Sequence, residues 1–135
     1  MQLNFRPKAA FASKKAFNYL ADKKPGDISQ IVVIRHAAIG DFMNIRPFLL
    51  GLKSFFPNAK ITLSTINTYA YGTPDDLIDD VHIIDRTIDG RKTSIFQRIK
   101  QIKQLPRADL LFDLTDSSLA LYAAIFSKPK LKIGY

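Results

Sequence analysis

The chain has 135 residues, 47% hydrophobic and 24% charged, a composition that supports one core burying about two-thirds of the unfolded surface and excludes wholesale disorder. It has no cysteine, and His36 and His82 are its only imidazoles, which excludes disulfide frameworks, thiolate metal cages and cysteine nucleophiles; no metal site is expected. Twenty Lys and Arg stand against twelve acidic residues, all Asp, for a formal charge of +8, so anionic partners are expected, whether nucleic acid, a phosphorylated substrate or an anionic membrane face.

Residues 1–27 form the first unit, a basic amphipathic helix and linker. Six basic and two acidic residues lie there and fourteen and ten follow, so this short segment carries half of the excess charge. In a helix over residues 8–20, Ala9, Ala10, Ala12, Ala16, Phe17, Tyr19 and Leu20 share one side and Lys8, Lys14, Lys15 and Asn18 the other. Such a helix either packs on its own domain or lies on an anionic surface; the pattern is the same for both, and own-domain packing is the favoured expectation. Lys23-Lys24-Pro25-Gly26-Asp27 ends it as a turn or short linker. Residues 1–27 also lack the continuous apolar stretch of a signal peptide. The longest apolar run of the chain, Leu119–Phe126, has eight residues against the roughly 20 that span a bilayer, so a soluble, non-exported chain is expected.

Residues 28–135 form the second unit, in which short β-rich runs alternate with segments of helical period. Ile31-Val32-Val33-Ile34 is apolar on both faces, as a central parallel strand requires. Asp41 begins a helical segment with Phe42, Ile45, Leu49, Leu52 and Phe56, which Pro47 should kink or limit in its first turn. Further strands are expected at Ile61–Thr65, Val81–Ile84, Leu110–Leu114 and Leu131–Ile133. A short helix should start at Thr73-Pro74, another should bury Ile95, Phe96, Ile99 and Ile102, and a last one should occupy residues 117–127. The class is therefore α/β: a Rossmann-like, doubly wound, mostly parallel sheet of about five strands with an extra N-terminal amphipathic helix.

In such a sheet ligands sit beyond the carboxyl ends of the strands, where the strand order reverses. Arg35 to Asp41 and Thr115 to Ser118 occupy such positions. The first stretch lacks both the Gly-x-Gly-x-x-Gly spacing of a dinucleotide fingerprint and a P-loop ending. By spacing alone Asp41 reads as a helix cap; the sharper reading is a carboxylate that takes a proton from a substrate hydroxyl. His36 is either a rival base or a loop histidine, with spacing favouring the latter, and His82, inside a strand, reads as packing. Nucleic-acid binding has no motif behind it, because the aromatics fall mostly on core faces where they cannot stack on bases.

Ile31 to Asp41, followed by Pro47, Leu52, Pro57 and Ile61-Thr62-Leu63, resembles the opening of the glycosyltransferase family 9 heptosyltransferases of lipopolysaccharide core assembly. Asp109–Leu114 and Lys132-Ile133-Gly134-Tyr135 resemble two later landmarks of that family in the same order, so the resemblance covers about residues 30–135. It implies the N-terminal half of a two-domain GT-B enzyme, which binds the acceptor. The ADP-heptose donor would bind a C-terminal nucleotide-sugar domain that this chain does not include and that would be supplied in cis or in trans. No cofactor is implied. Asp41 matches the family's base in an inverting, metal-independent transfer, Arg35 the basic position before the loop, and His36 follows it. Arg86, Arg91 and Lys92 match a basic region that engages acceptor phosphates and carboxylates, or else form a solvated charged loop.

Where the family has Asp-x-Gln-Gly, this chain has Asp113-Leu114-Thr115-Asp116. Thr115 and Asp116 thus become candidate acceptor contacts, although Asp116 by spacing favours a cap of the last helix. The implied partners are an anionic lipopolysaccharide inner-core acceptor and the cytoplasmic face of the inner membrane, with no nucleic acid, and the implied location is cytoplasmic, peripheral on that membrane. Half of a cleft should be inactive alone, since holding donor and acceptor together supplies much of the rate. The other reading is a stand-alone binding or regulatory module that docks to membrane or protein through its basic N-terminal helix.

Overall fold

A computed structural model describes residues 14–36, 38–115 and 117–134. Five parallel strands, β1 (Gln30–Ile34), β2 (Lys60–Ile66), β3 (Asp80–Ile84), β6 (Leu110–Asp113) and β7 (Leu131–Gly134), form one sheet in the order β3-β2-β1-β6-β7. A two-stranded hairpin, β4 (Thr87–Ile88) and β5 (Arg91–Lys92), stands apart from it. The helices are α1 (Lys14–Ala21), α2 (Ile39–Phe55), α3 (Ile95–Ile102) and α4 (Ser118–Phe126). This is the expected Rossmann-like α/β fold.

The central position of β1 follows from its composition, for Ile31, Val32, Val33 and Ile34 have no exposed surface and feed two separate cores. Ile31 and Val33 pack with Phe42, Leu49 and Leu52 of α2, while Val32 and Ile34 pack with Ile102 of α3 and Ala120 and Ala123 of α4. The chain leaves β1 toward β2 and leaves β6 toward β7, which are opposite directions across the sheet. Right-handed crossovers therefore put α2 and α4 on opposite faces. α3 carries the chain from β3 back past β1 to β6 and shares the face of α4 for the same reason. Strand order reverses between β1 and β6, where the register pairs Ile34 with Asp113.

The amino end of the sheet is tied by Asp109. Its carboxylate accepts from the Ser29 amide and hydroxyl at 2.9 Å each and from the Gln30 amide at 3.1 Å, and it pairs with Lys130 Nζ at 2.6 Å. One side chain thus joins the starts of β1, β6 and β7. Burial alone would raise its pKa, but the bonds from Lys130, Ser29 and Gln30 outweigh that and hold it well below the usual carboxylate range.

Several local expectations are corrected. Thr73-Pro74 starts a single turn, closed by Leu77 N–H to Pro74 O at 2.8 Å, and no helix. The Thr73 hydroxyl donates to the Asp75 carboxylate at 2.6 Å, and β3 starts only five residues after Asp75, which leaves little room for a helix. A 3-10 helix over Asn67–Gly72 fills the β2–β3 connection. α2 runs through Pro47, so its first turn is not limited there. α3 buries Ile102 but leaves Ile95 and Phe96 exposed, Phe96 by 80%. Residues 1–13 of the expected basic helix lie outside the described residues; in the remainder, Ala16 and Tyr19 pack against the α2-side core, as own-domain packing requires. Among the described residues no helix is long and apolar enough to cross a membrane.

Replacing Asp109 by Ala should cost about 2–4 kcal/mol in urea unfolding at neutral pH, because it strands three donors and a lysine. A depressed folded pKa stabilises the fold above the ordinary carboxylate value, about 4, and that stability is lost as pH falls toward the folded value. Acid unfolding below about pH 4 should therefore be steeper in the wild type than in Asp109→Ala. Superimposable acid curves would contradict this role.

Candidate functional site at the carboxyl edge of the sheet

The strand-order reversal places Arg35 and His36, which follow β1, beside Leu114 and Thr115, which follow β6. Alternation along the strand sends consecutive side chains to opposite faces. Arg35 turns to the α2 side, where one guanidinium nitrogen donates to Leu114 O and Nη2 pairs with Asp41 Oδ1 at 3.0 Å. The side chain is 24% exposed, its Nε is buried without a protein partner, and that of Asp41 is 36% exposed. Three elements, β1, β6 and α2, thus meet at one guanidinium.

The capping role for Asp41 is overturned. The N-cap is Ala38, which makes no side-chain cap bond, and Asp41 lies in the first turn with its amide bonded to Ala38 O at 2.9 Å. Its carboxylate is held by Arg35 near the positive end of α2 instead. A β-carbon added at Gly40 would meet nothing within 4 Å, so packing does not require this glycine and the backbone beside Asp41 is open.

His36 faces the other side of the sheet. Its amide donates to Thr115 Oγ1 at 2.9 Å, and that hydroxyl donates to Ile34 O at 3.4 Å. The Thr115 amide in turn donates to Asp113 Oδ1 at 3.1 Å. Thr115 is therefore a clamp between β1 and β6. Gly134 closes the same corner from β7: its φ is +121°, and a β-carbon there would lie 2.2 Å from Asp113 O. Both ring nitrogens of His36 are buried without a protein partner. Burial, the neighbouring His82 and the Arg86 charge push its pKa down to about 4. It is neutral at pH 7 and ill suited to holding a proton as a base.

Beyond β2 and β3 the same edge carries a basic cleft of about 230 Å³, lined by Ile66, Thr68, Tyr69, Arg86, Thr87, Lys92 and Arg98. The expected charged loop is in fact the β4–β5 hairpin, turned by Asp89 and Gly90 at φ 49° and 75°. Positive φ at both central residues is the hairpin signature of an Asp-Gly pair. Its scaffold is polar: Asn67 donates to Thr87 O at 2.6 Å and accepts from the Arg86 amide at 3.2 Å, and the Thr93 amide donates to Arg86 O at 3.0 Å while its hydroxyl donates to Asp85 O. Arg98 Nε donates to Thr93 Oγ1 at 2.9 Å, which aims the guanidinium toward Arg86.

Of the expected site residues, the edge brings Arg35 to Asp41 on the α2 side and His36 to Thr115 on the opposite side, and the cleft takes Arg86 and Lys92. Arg91 is exposed on the hairpin and does not line the cleft. Asp116 lies outside the described residues. Arg98, Thr68 and Tyr69 were not among the expected residues. Arg98 had a signal, since Ser94 and Gln97 form a capping box that fixes the start of α3 and puts Arg98 in its first turn. His82 packs as expected, with Nδ1 3.1 Å from Ser64 Oγ and Nε2 2.8 Å from Gln101 O. Among the described residues no group of three metal-ligating side chains forms.

The burial of His36 predicts a pH dependence. Its folded pKa lies below the ordinary 6.5, so its contribution to stability is complete above pH 6.5 and is lost as pH falls to about 4. The shift corresponds to a loss of up to about 3 kcal/mol. A His36→Gln variant should show a shallower decline over that window in chemical denaturation, the remaining slope coming from His82, whose pKa burial also lowers. An unchanged slope would mean that the ring is not buried neutral.

No protein-family model and no curated protein matches this sequence. The chain is similar in structure to a glycosyl transferase family 9 protein from Veillonella parvula DSM 2008, known from its crystal structure, with a TM-score of 0.63 at 21% sequence identity. The match covers 82% of this chain and 32% of that one, so this chain spans about a third of the length of the structure it matches. At that identity the likeness is one of fold.

Proposed function

We propose that the chain is the acceptor-binding N-terminal domain of a heptosyltransferase-like enzyme of glycosyltransferase family 9, transferring a sugar from an ADP-heptose to a lipid-linked acceptor of the lipopolysaccharide inner core. The observation that carries this reading is the Arg35–Asp41 pair at the strand-order reversal, on the same edge as a cleft lined by Arg86, Lys92 and Arg98. The fold likeness to a family 9 glycosyl transferase supports it.

In this reading the three cations hold the acceptor's phosphates and carboxylates, the arginines by paired N–H donors. Asp41 is the catalytic base. Its carboxylate takes the proton of the acceptor hydroxyl as that oxygen bonds to the anomeric carbon, the bond from that carbon to the diphosphate breaks, and ADP leaves with inversion of configuration. Arg35 orients the carboxylate, and the open space at Gly40 admits the sugar to the backbone. The donor is held by a second domain, in cis or in trans, and this half alone is inactive because it cannot bring the two substrates together.

The test is calorimetric binding of a deacylated, anionic inner-core oligosaccharide. Saturable binding should weaken as salt rises, since much of it is charge attraction. Arg86→Ala and Arg98→Ala should each weaken it about 10-fold or more, at about 1.5–3 kcal/mol per charge-assisted contact, while Asp41→Ala should leave it within about threefold. Absence of saturable binding at low salt, or binding indifferent to both arginines, would overturn the proposal.

A further inference from the structure

A second cavity, of about 230 Å³, lies away from the cleft, between α1, the end of α2 and strands β6 and β7. Its walls include Leu20, Ile28, Phe55, Phe112 and Ile133, and among the described residues the charged ones lining it are Lys23 and Lys24. Leu20, Phe55 and Ile133 are 46%, 62% and 39% exposed, so apolar surface opens to solvent beside two cations. The carboxylate of Asp27 is turned to the Lys24 backbone amide at 2.8 Å. Lys14 and Lys15 are exposed on the same helix. An apolar hole with cations at its rim has the polarity of an anionic amphiphile, tail inward and head outward. Its volume lies below the usual 300–1,000 Å³ or so of ligand pockets, which suits one hydrocarbon chain better than a ring system.

We infer that this cavity takes a single acyl chain of an anionic lipid, with Lys23 and Lys24 holding its head group. The inference does not rest on the glycosyl-transfer reading, because the cavity shares no residue with the cleft.

The experiment is titration calorimetry of the full chain with octanoate, decanoate and laurate, all below their micelle concentrations, against dodecyltrimethylammonium as the cationic control. Binding of laurate should be saturable at one per chain, and affinity should rise about fourfold per added methylene until the cavity is full. The cationic control should bind at least tenfold more weakly. A Lys23→Gln/Lys24→Gln variant should lose about tenfold in laurate affinity, and Leu20→Asp, at a half-exposed position where the circular dichroism spectrum should stay that of the wild type, should abolish binding. Lack of saturable laurate binding, equal binding of the cation, or unchanged binding by Leu20→Asp would overturn the inference. So would a dimer that excludes laurate and dissociates in Leu20→Asp, since a second copy would then be the occupant.

Discussion

The candidate site depends on the guanidinium of Arg35. This side chain reaches from the end of β1 to the backbone after β6 and to the carboxylate in the first turn of α2. A lysine has the charge but not the fork, and it cannot donate in two fixed directions at once. The bonds of Arg35 to the Leu114 carbonyl and the Asp41 carboxylate hold it there and offset the cost of a buried Nε without a protein partner. The chemistry assigned to Asp41 therefore rests on a carboxylate positioned by the junction of strands.

That junction exists because of how the chain is wound. A β1 strand that is apolar on both faces must lie in the centre of the sheet, and crossovers of one hand then lead away from it on opposite faces. The strand-order reversal between β1 and β6 follows from this topology and needs no special residue to create it. What the sequence adds are the tight corners: Thr115 as a clamp, and Gly134 where no β-carbon fits against Asp113. Asp109 performs the complementary task at the other end of the strands, leaving the carboxyl edge to carry the site.

The inner strands β1 and β6 were legible because burial on both faces leaves nearly uninterrupted apolar runs, while β2 and the edge strands β3 and β7 were legible from short β-rich runs; all five lie where those runs predicted. Pieces fixed by local hydrogen bonds were harder to read. Thr73-Pro74 has the composition of a helix start, yet the chain closes only one turn there before β3 begins. Asp89-Gly90 is a hairpin signal, but the flanking strands have only two residues each, too short for an alternating pattern. The exposure of Phe96 could not be read from α3, whose spacing is amphipathic whatever covers it. In the site, the order of Arg35, Gly40 and Asp41 was visible, whereas the ion pair and the loss of the cap were not, because they depend on where α2 begins. Arg98 joins Arg86 only through the fold, twelve residues away in sequence.

The central claim is that an anionic acceptor binds along the carboxyl edge of the sheet, with its reacting hydroxyl beside Asp41. The most direct measurement is amide chemical-shift mapping of the isotopically labelled chain titrated with the deacylated inner-core oligosaccharide. The account predicts shifts concentrated at Arg35, His36, Gly40, Asp41, Arg86 and Lys92, with Ser29, Asp109 and Lys130 at the opposite end unmoved. Shifts confined to that opposite end, or to Leu20 and Lys23, would contradict it.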